Sequence, residues 1–185
     1  MDMHPEISHW VSQSGDIVDV SETWLVFARD NGWDIDTTNV VGHHWTEYVK
    51  CAEVRKLYGQ LMDHVRSTGQ PARLHYRCDS PEQKRFHQMK IAWDRRRSVY
   101  EFRNRILETE DLKNAINLTA AQGGAEDDAF DMCSWCKKVK TPDGEWVDIE
   151  DMLATLQAQG QEFTGEVNHD ACPDCLATLN TSVAP

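Results

Sequence analysis

Residues 53–107, EVRKLYGQLMDHVRSTGQPARLHYRCDSPEQKRFHQMKIAWDRRRSVYEFRNRIL, change their hydrophobic period once, and that change decides the fold. Over 53–68, Val54, Leu57, Tyr58, Leu61, Met62 and Val65 recur at three- and four-residue spacing, the signature of a helix with one apolar face. Gly69 stops it. Beyond it the runs 72–78, 85–93 and 99–107 are rich in β-branched and aromatic residues, with Asp79-Ser80-Pro81 and residues 94–98 as the turns between them. Met89, Ile91 and Trp93 point to one face of the middle run and Lys90 to the other. The reading is a helix followed by an antiparallel three-strand meander.

Toward the N-terminus, residues 9–12 and 16–20 read as two short strands around the turn signal Ser14-Gly15. Ser21 is placed to cap a helix carrying Trp24, Leu25, Phe27 and Ala28 as far as Asn31-Gly32. Residues 34–46 are irregular. Together these elements predict an α+β fold, a five-stranded antiparallel sheet with helices on one face. Toward the C-terminus, 109–120 reads as a helix capped by Thr109, with Leu112 and Ile116 on its apolar side. The run 122–128, rich in glycine and acid, is the best linker in the chain. The expected division is a larger domain at 1–110, a connector at 111–131 and a small module at 132–185.

The chain of 185 residues, 40% hydrophobic and 27% charged, has the composition of a soluble globular protein. No run approaches the roughly 18 apolar residues of a membrane span, and Met1 to Pro5 lack the basic and apolar parts of a signal peptide, so a cytoplasmic protein is expected. In that reducing setting, paired cysteines persist as metal ligands or redox centres more readily than as structural disulfides. A net charge of −12 argues against nucleic acid as the main partner. Ten of the nineteen basic residues nevertheless fall between 73 and 105, either a solvated strand face or a docking surface for an acidic partner.

Chemistry concentrates in Cys133-Ser134-Trp135-Cys136 and Cys172-Pro173-Asp174-Cys175, two CxxC pairs separated by the 35 residues 137–171. A CxxC turn lets two sulfurs approach one ion, and two such turns complete a tetrahedral set with no open position, which is structural zinc chemistry. Lys137 and Lys138 sit where their charge offsets the thiolates. Between the pairs, Thr141-Pro142-Asp143-Gly144 is a turn signal and 145–147 a strand. Asp148 is then placed to cap a helix to about residue 159, with Asp151 reaching back and Gly160 ending it. An iron-sulfur cluster also takes four thiolates, and a redox dithiol is a further alternative. His169, three residues before Cys172, could replace one sulfur or support the site from outside.

Residues 7–110 resemble the PAS domain, on this layout and on the run Gly15-Asp16-Ile17-Val18-Asp19-Val20-Ser21-Glu22-Thr23-Trp24, the Asn31-Gly32 stop, and Val41-Gly42 ahead of the long helix. The tail resembles the extension that follows PAS domains in some bacterial sensory proteins, of the form CSxCKK, DGxW, an acidic helix, then HxxCPxC. Cys133, Ser134, Cys136, Lys137, Lys138, Asp143, Gly144, Trp146, Glu150, His169, Cys172, Pro173 and Cys175 carry it. The resemblance implies a sensory or partner-binding role in signal transduction, often as a homodimer, with a protein partner. PAS domains that bind haem often ligate the iron with a histidine on the corresponding helix, which makes His64 the haem candidate.

His43 and His44 read as loop histidines or metal ligands, and Cys51 and Cys78 as apolar fillers. Trp10, Trp24, Trp33, Trp45 and Trp93 are core or the wall of a ligand cavity. No Ser, His and carboxylate set and no phosphate loop occur in a motif. A site closed by four thiolates leaves no place for substrate, so the expectation is a non-catalytic signalling protein. The alternative is a redox or gas sensor holding an iron-sulfur cluster on the cysteines or haem in the PAS pocket.

Overall fold

The change of period at Gly69 is where the chain turns from helix to sheet. A computed structural model describes residues 5–49, 51–112, 130–159 and 167–181. Its first half comprises β1 (Ile7–Ser12), β2 (Ile17–Val20), α1 (Glu22–Asp30), two short 3-10 turns (Thr37–Asn39 and Trp45–Glu47), α2 (Ala52–Thr68), β3 (Ala72–Arg77), β4 (Gln83–Asp94) and β5 (Val99–Asp111). The strands form one antiparallel sheet in the order β2-β1-β5-β4-β3, so the expected five-stranded α+β layout is the one observed.

Local chemistry fixes the corners. The Ser21 hydroxyl accepts from the Trp24 N–H and caps α1. Gly69 closes α2 in the left-handed region, φ 73°, its N–H donating to the Val65 carbonyl. Gly15 takes φ 97° between β1 and β2, and a side chain there would run into the His44 ring. The apolar stripe of α2, with Leu61 and Val65 fully buried, packs on Val11, Leu74, Met89, Ile91 and Phe102 of the sheet. Each such side chain contributes roughly 1.5–3 kcal/mol by leaving water.

One sequence expectation fails at the end of β5. Thr109 to Asp111 are strand, not the start of a helix: Thr109 pairs with Arg85 and Glu110 with Lys84 across the β4–β5 ladder. The ladder to β4, with the Gln83 side-chain amide donating to Asp111 at 2.9 Å, favours the extended form over the helix-start appearance of the sequence. The remainder of that expected helix and the 122–128 linker, with the domain boundary placed in it, lie outside the described residues.

The second half contains β6 (Phe130–Cys133), β7 (Lys138–Lys140), β8 (Trp146–Asp148), α3 (Ile149–Ala158), β9 (Val167–Asp170) and α4 (Pro173–Thr181). Its sheet runs β8-β7-β6-β9, with β6 and β9 parallel. Met132, Val139 and Ile149 form a small core of its own. The turn at 141–144 forms as expected, Gly144 N–H donating to the Thr141 carbonyl. Asp148 occupies the N-cap of α3 but makes no capping hydrogen bond, and the box with Asp151 is not formed. The expected stop at Gly160 lies outside the described residues.

The two halves share a core. Cys133, Trp135, Ala171 and Cys172 belong to the same buried cluster as Val54 and Leu57. The Arg77 N–H donates to the Trp135 carbonyl at 2.6 Å, tying β3 to the first CxxC turn. The Arg77 guanidinium, almost fully buried, pairs with both Asp79 and Glu150, and Lys84 joins Glu150 at 3.3 Å. Glu150 therefore serves as an anchor to the first sheet. Among the described residues no helix is long and apolar enough to cross a membrane.

Candidate metal centre

Cys133 ends β6, and the chain then reverses so that the Lys137 N–H returns to the Cys133 carbonyl at 3.0 Å, with Lys137 itself at φ 63°. Cys172 immediately precedes α4 and Cys175 lies in its first turn, where the helix presents unpaired N–H groups and the positive end of its dipole. Parallel pairing of β6 with β9, extended by the Ser134 N–H donating to the Asp170 carbonyl at 2.8 Å, brings the two turns together. The closure spans 39 residues: the Cys172 N–H reaches the Cys133 sulfur at 3.4 Å, and the Cys175 N–H reaches the Cys172 sulfur at 3.5 Å.

The four sulfurs all lie within 4.8 Å of one another, Cys136 and Cys172 at 3.7 Å, and none is in a disulfide. A tetrahedron with zinc-thiolate arms of ~2.3 Å has edges of about 3.8 Å, so the spacing fits a single tetrahedral ion. Cys133 and Cys172 are sealed from solvent, Cys136 and Cys175 half-buried. The electrostatics favour a cation. Hydrogen bonds from the Cys136 and Cys175 thiols, with the Cys172 N–H, hold Cys133 far below the ordinary thiol value against the opposing effect of burial. The same contact with Cys133 pushes Cys136 up to about 12, and Cys133, Cys136 and burial drive Cys175 well up. A positive ion at their centre would lower the cost of ionising Cys136 and Cys175 beside Cys133. Lys138 lies 3.9 Å from Asp174 at the start of α4.

Comparison with known proteins adds no name to this geometry. No protein-family model and no curated protein matches the sequence.

The cysteine set can hold a metal ion without histidine. His169 lies exposed on β9, outside the four-sulfur group, and lines a cavity of about 340 Å³ between the two halves with Cys51, Tyr76, Trp135 and Lys137. Cys51 is buried at the N-cap of α2, its thiol donating to Glu53 at 3.3 Å, and Asp170 completes a second group, of three, within 4.8 Å. His43 pairs with Glu47, and His44 caps the second 3-10 turn through Thr46, so both stabilise their loop.

A separate cavity of about 170 Å³ lies between the first sheet and its helices, walled by aromatic rings including Trp24, Trp33, Trp45, Tyr58 and Phe102. Its histidine is His9, stacked on Phe102 with centroids 4.7 Å apart. His64 is half-buried on α2 and is not among the lining residues. Sequence reasoning passed over His9 and Trp135. Strand alternation from Val11 would have put His9 on the inner face, whereas nothing in the CxxC motif marks its third residue as core.

Proposed function

We propose that this chain is a non-catalytic signalling protein in which a PAS-like domain receives a small ligand or docks a protein partner, and a structural zinc ion on Cys133, Cys136, Cys172 and Cys175 holds the C-terminal module against it. The observation that carries this reading is the meeting of four sulfurs at tetrahedral spacing inside a core common to both halves. Four thiolates fill a tetrahedral ion, so the ion would cross-link the chain rather than activate water or substrate. The element order on which the PAS resemblance rests supports the sensory half of the reading. Output would pass through protein contacts, in a homodimer or with a partner.

The spacing favours one ion over a cluster of several irons, whose ligands stand further apart. Haem draws little support from a cavity of about 170 Å³, below the roughly 300–1,000 Å³ usual for ligand sites, with His64 outside its lining. Elemental analysis with an absorbance spectrum of anaerobically purified protein tests the metal. One equivalent of zinc in a colourless protein is expected. Iron with visible absorbance, or full metal content and an equally folded tail in Cys172→Ser, would overturn it.

A further inference from the structure

We propose that the aromatic cavity of the first domain is a binding site for a small neutral phenol, with the His9 imidazole as the anchor for its hydroxyl. The proposal rests on the sensory reading above and specifies its ligand. Volume comes first: an apolar cavity of about 150 Å³ accommodates benzene, so about 170 Å³ suits one aromatic ring with a small substituent. The walls come second. Among the described residues no charged side chain lines the space, so a carboxylate or ammonium would enter without compensation for its lost hydration.

The polar anchor comes third. Among the described residues neither nitrogen of His9 has a hydrogen-bond partner; Nδ1 is wholly enclosed, and the ring lines the cavity. Stacking on Phe102, with 10° between the planes, fixes the ring in place. Burial holds His9 down to about 4, so at neutral pH the imidazole is uncharged and one ring nitrogen donates while the other accepts. A phenolic hydroxyl can meet either arrangement, whereas a plain hydrocarbon ring meets neither. The Tyr48 hydroxyl does not compete, since it already donates to the Asn39 carbonyl at 3.0 Å. Trp33 and Tyr48, 42% and 37% exposed with rings 5.6 Å apart, form the solvent side of the wall, where a ligand would enter.

The test titrates 4-fluorophenol and 4-fluorotoluene into the full chain and reads binding by fluorine NMR. For so small a ligand, a dissociation constant on the order of 0.1–1 mM is expected for the phenol, with the toluene weaker. In His9→Phe, which keeps the stacked ring, phenol binding falls roughly five- to tenfold and toluene binding does not. Val40→Phe, which fills the cavity from another part of its wall and leaves His9 in the sequence, abolishes both. Absence of phenol binding to the wild-type chain, equal affinity for the two probes, or indifference to Val40→Phe would each overturn the site. Association state, followed in the same samples, separates this proposal from the reading it rests on. Phenol binding by a chain that associates neither with itself nor with any protein partner keeps the site and removes the signalling role, while association without phenol binding does the reverse.

Discussion

His9 and Glu150 give the protein two acid-sensitive groups that act in different pH windows. His9 falls from an ordinary 6.5 to about 4, so between those values the unfolded chain binds a proton that the fold refuses. Stability therefore drops as pH falls from 6.5 toward 4, at up to about 1.4 kcal/mol per unit. Urea unfolding at pH 5 should give a value roughly 2 kcal/mol below that at pH 7, and His9→Phe should lack this loss. For Glu150, burial alone would raise the carboxyl, but hydrogen bonds from Arg77 and Lys84 bring it below its ordinary 4.5. Its contribution is present above 4.5 and disappears as pH falls further, so His9→Phe should still lose stability there. Arg77→Ala leaves two carboxylates beside a buried space and should cost about 3–5 kcal/mol, and a double-mutant cycle with Glu150→Ala would measure the coupling. At this scale the four cysteines were legible because their spacing is itself the chemistry. Arg77 and Glu150 were not, since nothing local says that residues 73 apart will meet.

Turns and strand ends are where reading from sequence succeeded and failed most clearly. Gly69 was legible as a helix stop, and Gly69→Ala should cost only about 1 kcal/mol, since its nearest neighbour is the Arg95 side chain at 3.5 Å and the cost is conformational. Gly15→Ala should cost more, above about 2 kcal/mol, because it combines a φ of 97° with displacement of the His44 ring; thermal unfolding of the two variants side by side checks the order. The β4–β5 hairpin was visible in its alternation, but its far end was not. Thr109-Glu110-Asp111 carries the acids of a helix start, and its pairing with residues 83–85 across the ladder makes it strand. The short strands β6 and β9 escaped for a related reason. Each is four residues long with Asp or Asn inside it, and their parallel partnership is recorded nowhere near either one.

For the molecule as a whole, the CxxC turn is also part of the core of the first domain. Trp135 is 4% exposed and its ring lies 6.0 Å from that of Tyr58, which in turn touches Trp45 and Phe102 at 5.9 and 6.3 Å around the aromatic cavity. If the four cysteines hold an ion as proposed, removing it with a chelator should therefore do more than unfold a tail. Tryptophan fluorescence should shift, and the first domain should melt at lower temperature in the same transition as the module, by calorimetry; two independent transitions would contradict the shared core. The fold class was readable because periodicity sets it, whereas this union of the halves depends on which side chains happen to face each other. The parallel strand pair has one more consequence, for biosynthesis. Cys175 is translated 42 residues after Cys133 (175 minus 133), an interval of roughly 2–8 s at about 5–20 residues per second. During that delay the nascent chain has the Tyr58 surface uncovered and the thiols of Cys133 and Cys136 without their mates. A chaperone at the ribosome exit, or an oxidant reaching those thiols early, would find this protein most vulnerable then.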